Sequence, residues 1–372
     1  MGETGDMGGM GDADATARVM DGSAWRDFCR AIERAGQAVI SAAPEDAFDR
    51  SEGLRYVSRL TTYALRACVE SSDPAAAFLS TESPKIGGDN PDYVYNGSTI
   101  SGRLQYRLSG LRGDEVRLGI GTYYGGLGTP GGLQCSGYLT SEELEIDADG
   151  RFDVTLACAE QPGNWLPMRP ETNALTIRQT VLRRREGQQP ARFTLDRIDG
   201  GDGPRPLDPT RFAASLGRAG GMVEGITRQF LGWTERFAAH PNEIRQLPPE
   251  LLALASGDPS TRYYNGYFEL GPEEALIVDL DPPECEYWNI QVANHWLESL
   301  DSMHFTTHVN HDTATPGPDG HVRVVIAGRD PGVPNWIDTV GHARGCIALR
   351  WVGAEAAPDP VTRVVKRSEL GT

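Results

Sequence analysis

Asp149–Trp165 reads DGRFDVTLACAEQPGNW, and Asp319–Trp336 reads DGHVRVVIAGRDPGVPNW. Each stretch opens on Asp-Gly, alternates apolar residues up to an Ala, turns at Pro and Gly, and closes on Asn-Trp. Further strands follow at similar distances, ALTIRQ in the first copy and CIALRW in the second. Upstream, Tyr95-Asn96-Gly97 parallels Tyr264-Asn265-Gly266. Three matches in one order at nearly constant spacing indicate an internal repeat. Asp-Gly suits a hairpin turn, because glycine takes positive φ without a Cβ clash. Phe152, Val154 and Leu156 share one face of the strand that follows, as do Val322, Val324 and Ile326, the period of a half-buried strand. Short strands separated by turns predict a sandwich or jelly roll.

Working outward, each β region follows a helical stretch. Asp208-Pro209 offers an N-cap and a first-turn proline. Phe212, Leu216, Val223, Ile226, Phe230, Trp233 and Phe237 then form one apolar stripe, which His240-Pro241 ends. Near the N-terminus, Trp25, Phe28, Ile32 and Val39 suggest a helix stopping before Pro44; Leu54, Val57, Tyr63, Ala64 and Cys68 suggest a second over roughly 52–70. The expected class is therefore α+β, a tandem duplication of two β-sandwich or jelly-roll-like subdomains, each preceded by helix. The boundaries read as a disordered tail over 1–20, helices over 21–86, the first sandwich over 87–199, linker and helix over 200–262, the second sandwich over 263–356, and a C-terminal tail over 357–372.

The chain has 372 residues, 39% hydrophobic and 23% charged, a globular composition. Its 35 basic and 52 acidic residues give a net charge of −17, which disfavours nucleic acid and anionic membrane surfaces as partners. The six cysteines are scattered without CxxC, the pattern of buried core thiols in a reducing compartment. The N-terminal stretch has neither a secretory h-region nor a myristoylation pattern, and no apolar run approaches the ~20 residues of a membrane span. A cytoplasmic location is expected. The oligomeric state is not legible.

Trp296-Leu297-Glu298-Ser299-Leu300-Asp301, Asp330-Pro331-Gly332-Val333-Pro334-Asn335-Trp336, Asp338, Gly341-His342 and Arg350-Trp351 form a long pattern within Tyr287–Trp351. It resembles the bacterial domain-of-unknown-function family numbered 1214. The stretch GDNPDYVY (Gly88–Tyr95) is similar to the signature of the companion family numbered 1254, with Pro91-Asp92-Tyr93-Val94-Tyr95 replacing the usual residues. The resemblance implies helices with two β-sandwich subdomains and says little about chemistry.

Six of the seven histidines lie in the second copy, where Asn335-Trp336-Ile337-Asp338-Thr339 leads to His342; the first copy has Leu166-Pro167-Met168 there. A shared scaffold with ionisable groups in one copy fits a single site. Imidazole can exchange a proton near neutrality, and a nearby carboxylate can fix its tautomer. His342 and Asp338 are thus the candidate catalytic pair. Asn90, Asp92, Tyr95, Trp296, Asn335 and Trp336 are candidate substrate-binding residues. The competing structural reading has Asp338 capping a turn, His342 bonding a backbone carbonyl, and Asn335-Trp336, which recurs as Asn164-Trp165, serving as scaffold. MHFTTHVNH (Met303–His311) read as a strand would hold His304 and His308 about 13 Å apart, too far for one metal, so no metal is expected; a metal site there requires the segment to bend or to be helical. The run from Gly119 to Gly126 lacks a phosphate-loop lysine, and there is no GxSxG elbow. The expected function is a cofactor-free enzyme, a hydrolase, lyase or isomerase using general acid–base chemistry on a largely apolar small molecule. The alternative is a non-catalytic small-molecule binding protein.

Overall fold

The computed structural model describes residues 12–81, 85–201, 203 and 205–370. Helices α1 (Asp12–Met20), α2 (Ser23–Ala42) and α3 (Ala47–Leu65) come first, and a π-helical turn at Arg66–Glu70 extends α3. Eight strands follow: β1 (Tyr93–Thr99), β2 (Tyr106–Leu111), β3 (Arg117–Gly125), β4 (Leu133–Thr140), β5 (Arg151–Ala157), β6 (Trp165–Pro167), β7 (Ala174–Thr180) and β8 (Arg192–Arg197). Then come α4 (Pro209–Ala238), β9 (Ile244–Gln246) and the short α5 (Pro249–Leu252). The last strands are β10 (Thr261–Glu269), β11 (Glu274–Leu280), β12 (Tyr287–Ala293), β13 (His308–Asn310), β14 (Val322–Ala327), β15 (Trp336–Asp338), β16 (Arg344–Val352) and β17 (Val361–Lys366). The protein is α+β, with helices and four sheets. Among the described residues, no helix is long and apolar enough to cross a membrane.

The sheets run β1-β7-β3-β4 and β6-β5-β2-β8 in the N-terminal half, and β9-β10-β16-β12-β13 and β15-β14-β11-β17 in the C-terminal half. Within each half the two sheets share one core. Leu118, Ile120 and Ile177 meet Leu108, Val154 and Leu156 in the first; Ile290, Leu349 and Trp351 meet Val278, Val324 and Ile326 in the second. Small details coincide. Trp165 Nε1 donates to Ala157 O at 3.0 Å, and Trp336 Nε1 to Ala327 O at 3.0 Å. Asn164 Nδ2 donates to Asp153 O and Glu145 O, as Asn335 Nδ2 does to Arg323 O and Thr315 O.

The helices bury one face against each other and against the second half. Asp208 caps α4 by accepting from Thr210 N. Leu216, Val223, Ile226, Phe230 and Trp233 of α4 share a core with Phe28 and Val39 of α2, Tyr56 and Leu60 of α3, and Tyr267, Trp296 and Cys346 below. Gly53 of α3 lies flat on Trp296; a Cβ there would stand 2.6 Å from the indole.

Several expectations are corrected. Residues 12–20 form α1, with Ala15 buried against the helical core, while residues 1–11 of the expected tail lie outside the described residues. The expected C-terminal tail contains β17, whose Val361, Val364 and Val365 pair with β11. Trp25 is 57% and Leu54 47% exposed, because α2 and α3 turn alanines and other residues inward instead. Only Cys68 and Cys346 are buried; Cys29 and Cys158 are exposed. Asp149-Gly150 is a tight turn but not a hairpin, since β4 and β5 belong to different sheets. The Tyr-Asn-Gly match is out of register. Tyr95 faces a cavity and Tyr264 faces the core, and a one-residue shift on a strand exchanges the two sides.

Candidate functional site

A cavity of about 1800 Å³ opens between the helices and the inner sheets of the two halves. Usual ligand pockets span roughly 300–1,000 Å³. Met222, Ile226, Phe230 and Trp233 of α4, with Leu297, give it an apolar stripe, flanked by Arg59 of α3, Arg66 and Glu70 of the turn that follows, and Arg218 of α4. The π-helical turn after α3 contributes Cys68, whose thiol burial pushes up. Its sheet wall is polar and cationic, with Tyr95, Arg178, Tyr263, Asn265 and Arg350.

The glycines of β3 explain how Arg178 is held. Leu118 and Ile120 point into the first core, so Gly119 and Gly121 face the other way. A Cβ at Gly119 would lie 2.0 Å from Tyr138 Oη, and one at Gly121 2.5 Å from Tyr123 Oη. The absent side chains leave room for both phenols. Arg178 pairs across the ladders with Tyr95 and Gly119. Its Nη1 donates to Tyr123 Oη at 2.7 Å, and its Cζ stands 5.5 Å from the Tyr123 ring centre. Tyr123 in turn donates to Gly257 O at 3.2 Å. Burial pushes the Tyr123 phenol up to about 12, although Arg178 draws it back. Arg350 donates to Gln291 Oε1 at 2.7 Å and to Gly88 O. Neither arginine is ion-paired to a carboxylate among the described residues.

Behind this wall lies a buried polar network. Asp92 accepts from Tyr287 Oη at 2.6 Å and Asn310 Nδ2 at 3.0 Å, and lies 2.9 Å from His308 Nε2. Asn90 accepts from Asn289 Nδ2 and Asp92 N and donates its backbone N–H to Tyr95 Oη. These groups join residues about 90 to the second half and hold Tyr95 at the cavity.

The expected catalytic pair does not reach this space. Asp338 Oδ1 accepts from Val340 N at 2.7 Å, bracing a turn in which Val340 has φ 51°, a costly value for a β-branched residue. His342 is buried on the far side of that turn. Its Nδ1 lies 2.8 Å from Thr339 O, its ring meets Phe48 edge-on at 4.7 Å, and its Nε2 stands 3.8 Å from Glu52 Oε2, beyond hydrogen-bond length. The expectation that both face a cavity receiving Asn90–Tyr95 is corrected: α3 covers His342 and the turn occupies Asp338. Among the proposed binding residues, Tyr95 lines the cavity. Asn90 and Asp92 stand behind it, Trp296 donates to Asp49 O beneath α3, and Asn335 and Trp336 brace their own sheet. No histidine lines the cavity among the described residues. His304 is in a turn, 2.8 Å from Asp301 Oδ2, so the strand assumed for 303–311 is limited to His308–Asn310. Among the described residues no three His, Cys, Asp or Glu side chains are grouped to hold a metal.

Sequence reading missed Arg178 and Tyr123. A signal was present: ALTIR and CIALR each place an arginine after an alternating apolar run, on the side away from the core.

The helical face of the second half supplies a pH prediction. His295 Nδ1 lies 2.7 Å from Tyr267 Oη. Burial, reinforced by the Arg344 charge, pushes the imidazole down to about 4 from 6.5. The unfolded chain takes up this proton first, so the contribution to stability is present above pH 6.5 and is lost as the pH falls through about 4. Burial pushes the Glu298 and Asp49 carboxyls up, which acts in the opposite sense. Urea midpoints across this interval should therefore fall more steeply for the wild type than for His295→Gln. Parallel curves would contradict the assignment.

Fold and site together define an α+β protein built around an internal, partly cationic cavity. A crystal structure of an uncharacterized protein from Burkholderia cenocepacia matches with a TM-score of 0.92 at 40% identity, covering 95% of this chain and 100% of the other. The chain belongs to the same family as that protein. The VPA0106 protein from Vibrio parahaemolyticus shares the fold, with a TM-score of 0.52 at 12% identity over 91% of this chain and 99% of the other. No family model and no curated protein matches the chain.

Proposed function

We propose that the protein binds an amphipathic small molecule in the cavity between the helices and the inner sheets. The observation that carries this reading is the asymmetry of the walls: α4 presents Ile226, Phe230 and Trp233, and the sheets present Arg178, Tyr95 and Arg350. Apolar walls with a few placed polar groups are the usual make-up of ligand sites. Acid–base catalysis needs a titratable group within about 3 Å of the reacting proton. The cavity-lining phenols of Tyr93 and Tyr95 are pushed up by burial, the lining carboxylate Asp89 is taken up by Ser299 N and Oγ at 2.9 and 2.7 Å, Glu70 and Glu171 are the other carboxylates of the lining, and His342 is sealed beneath α3; this favours binding over the hydrolase, lyase or isomerase reading. The two sandwiches are read as one eight-stranded, jelly-roll-like unit duplicated in tandem; the matching sheet orders and Asn-Trp hydrogen bonds support this. The kinship with the families numbered 1214 and 1254 rests on the Trp296–Asp301, Asp330–Trp336 and Gly88–Tyr95 patterns.

Gly97 tests the reading. It follows Tyr95 by two residues, so its Cβ direction shares the cavity face, and the nearest atom, Leu175 O, is an ordinary 3.5 Å away. Gly97→Trp should fill the space beside Tyr95 while leaving the ladder intact. An uncharged environment-sensitive dye, N-phenyl-1-naphthylamine, should bind the wild type saturably and bind this variant about tenfold more weakly or less, at an unchanged melting temperature. Equal binding to both proteins would remove the cavity as the site.

A further inference from the structure

We infer that the cavity's occupant is an organic carboxylate with an apolar body, its head group received by Arg178 and its body lying along α4. The inference rests on the cavity-binding reading and names the ligand class. Three observations carry it. First, Arg178 is half-buried, lines the cavity and has no carboxylate partner among the described residues; its Nη1 donates to the Tyr123 phenol. Withdrawing a guanidinium from bulk water without a counter-charge is costly, and an anion in the cavity offsets that cost. Second, cations outnumber carboxylates around the cavity, in a chain whose net charge is −17. Arg59, Arg66, Lys85, Arg178, Arg218 and Arg350 line it against Glu70, Asp89 and Glu171, and Arg178 and Arg350 both act on Tyr95. Third, the arginine is aimed before any ligand arrives. Gly119 and Gly121 make room for Tyr138 and Tyr123, and Tyr123 is itself fixed by Gly257 O. A phenol anchoring Nη1 leaves the other donors of the planar fork for a carboxylate, the geometry guanidinium matches with two parallel bonds. The apolar body follows from Met222, Ile226, Phe230 and Trp233 on the opposite wall.

The test uses the full chain and calorimetric titration near pH 7, where a carboxylate is ionised. Decanoate, decan-1-ol and decyl phosphate share one tail and differ in the head. Decanoate should bind the wild type about tenfold tighter than the alcohol, and Arg178→Gln should abolish that preference, the larger loss falling on decanoate. A melting temperature equal to the wild type's shows that the variant is folded. Tyr123→Phe, which keeps the charge and removes the anchor, should lose part of the preference. Equal affinity for acid and alcohol, with Arg178→Gln without effect, would overturn the carboxylate assignment and leave the cavity reading standing. Tighter binding of decyl phosphate than decanoate would overturn it in favour of a phosphoryl head. If no tail compound and no neutral dye binds the wild type, both readings fall together.

Discussion

Replacing Arg117 with alanine is expected to lower the free energy of unfolding by about 3–5 kcal/mol, the usual cost of removing one partner from a buried ionic cluster. Arg117 begins β3 in the first half, yet its partners belong to the second. Nη1 bonds Asp258, Nε donates to Glu286 Oε2 at 2.6 Å, and Nη2 donates to Ser260 Oγ at 2.8 Å. Asp258 is 2% exposed. Burial raises its pKa, but the Arg117 charge and the Ser260 hydrogen bonds outweigh this and hold it below the usual carboxylate range. Without Arg117 the carboxylate would remain buried and unpaired. Asp258→Ala on top of Arg117→Ala should therefore recover part of the loss, because it removes the stranded charge. Denaturant unfolding of the two variants measures both effects. A single-variant loss below about 1 kcal/mol would place the pair among weak surface bridges instead.

Trp351→Ala should cost a similar amount, about 3–5 kcal/mol, by a different mechanism. Trp351 is fully enclosed on β16, between the sheets of the second half, with its ring 5.8 Å from that of Trp288 at 60°. Truncation leaves a cavity that a two-sheet core cannot close, because both walls are hydrogen-bonded ladders. Trp351→Phe should cost much less. It keeps most of the ring volume and removes an indole N–H that has no hydrogen-bond partner among the described residues. Comparable losses for the two substitutions would point to the indole nitrogen rather than to packing. The prediction also bears on the site, since Arg350 precedes Trp351 and its direction depends on that anchor.

Much of this architecture is legible in local periodicity. The alternation in 151–157 and 322–327 names the core-facing residues, because on a strand the choice of face repeats every second residue. The stripe from Leu216 to Trp233 names the buried face of α4 in the same way. Periodicity misleads where the packing partner is small or lies to one side. Trp25 fits a helical stripe but is exposed, since α2 meets α4 through Phe28 and Ala31 at Gly220. Histidine counting misled for a related reason. The second half is richer in histidine, yet His342 serves the contact with α3, and His308 serves the junction at Asp92.

Local pattern is enough for the paired strands 151–157 and 322–327, the buried face of α4 and the matching Asn-Trp pairs, because each depends on residues close along the chain. The sequence also carries an arginine after each alternating run, in ALTIR and CIALR, without saying what those arginines face. Folding is what brings them to one cavity, lets glycines of β3 make room for the phenol that aims Arg178, and sets Asp338 and His342 elsewhere. The physical reason is distance along the chain. Arg117 and Asp258 are 141 residues apart, and Asp92 and His308 are 216 apart. Which charge is buried against which partner is set by how whole sheets dock, and no short-range pattern encodes that.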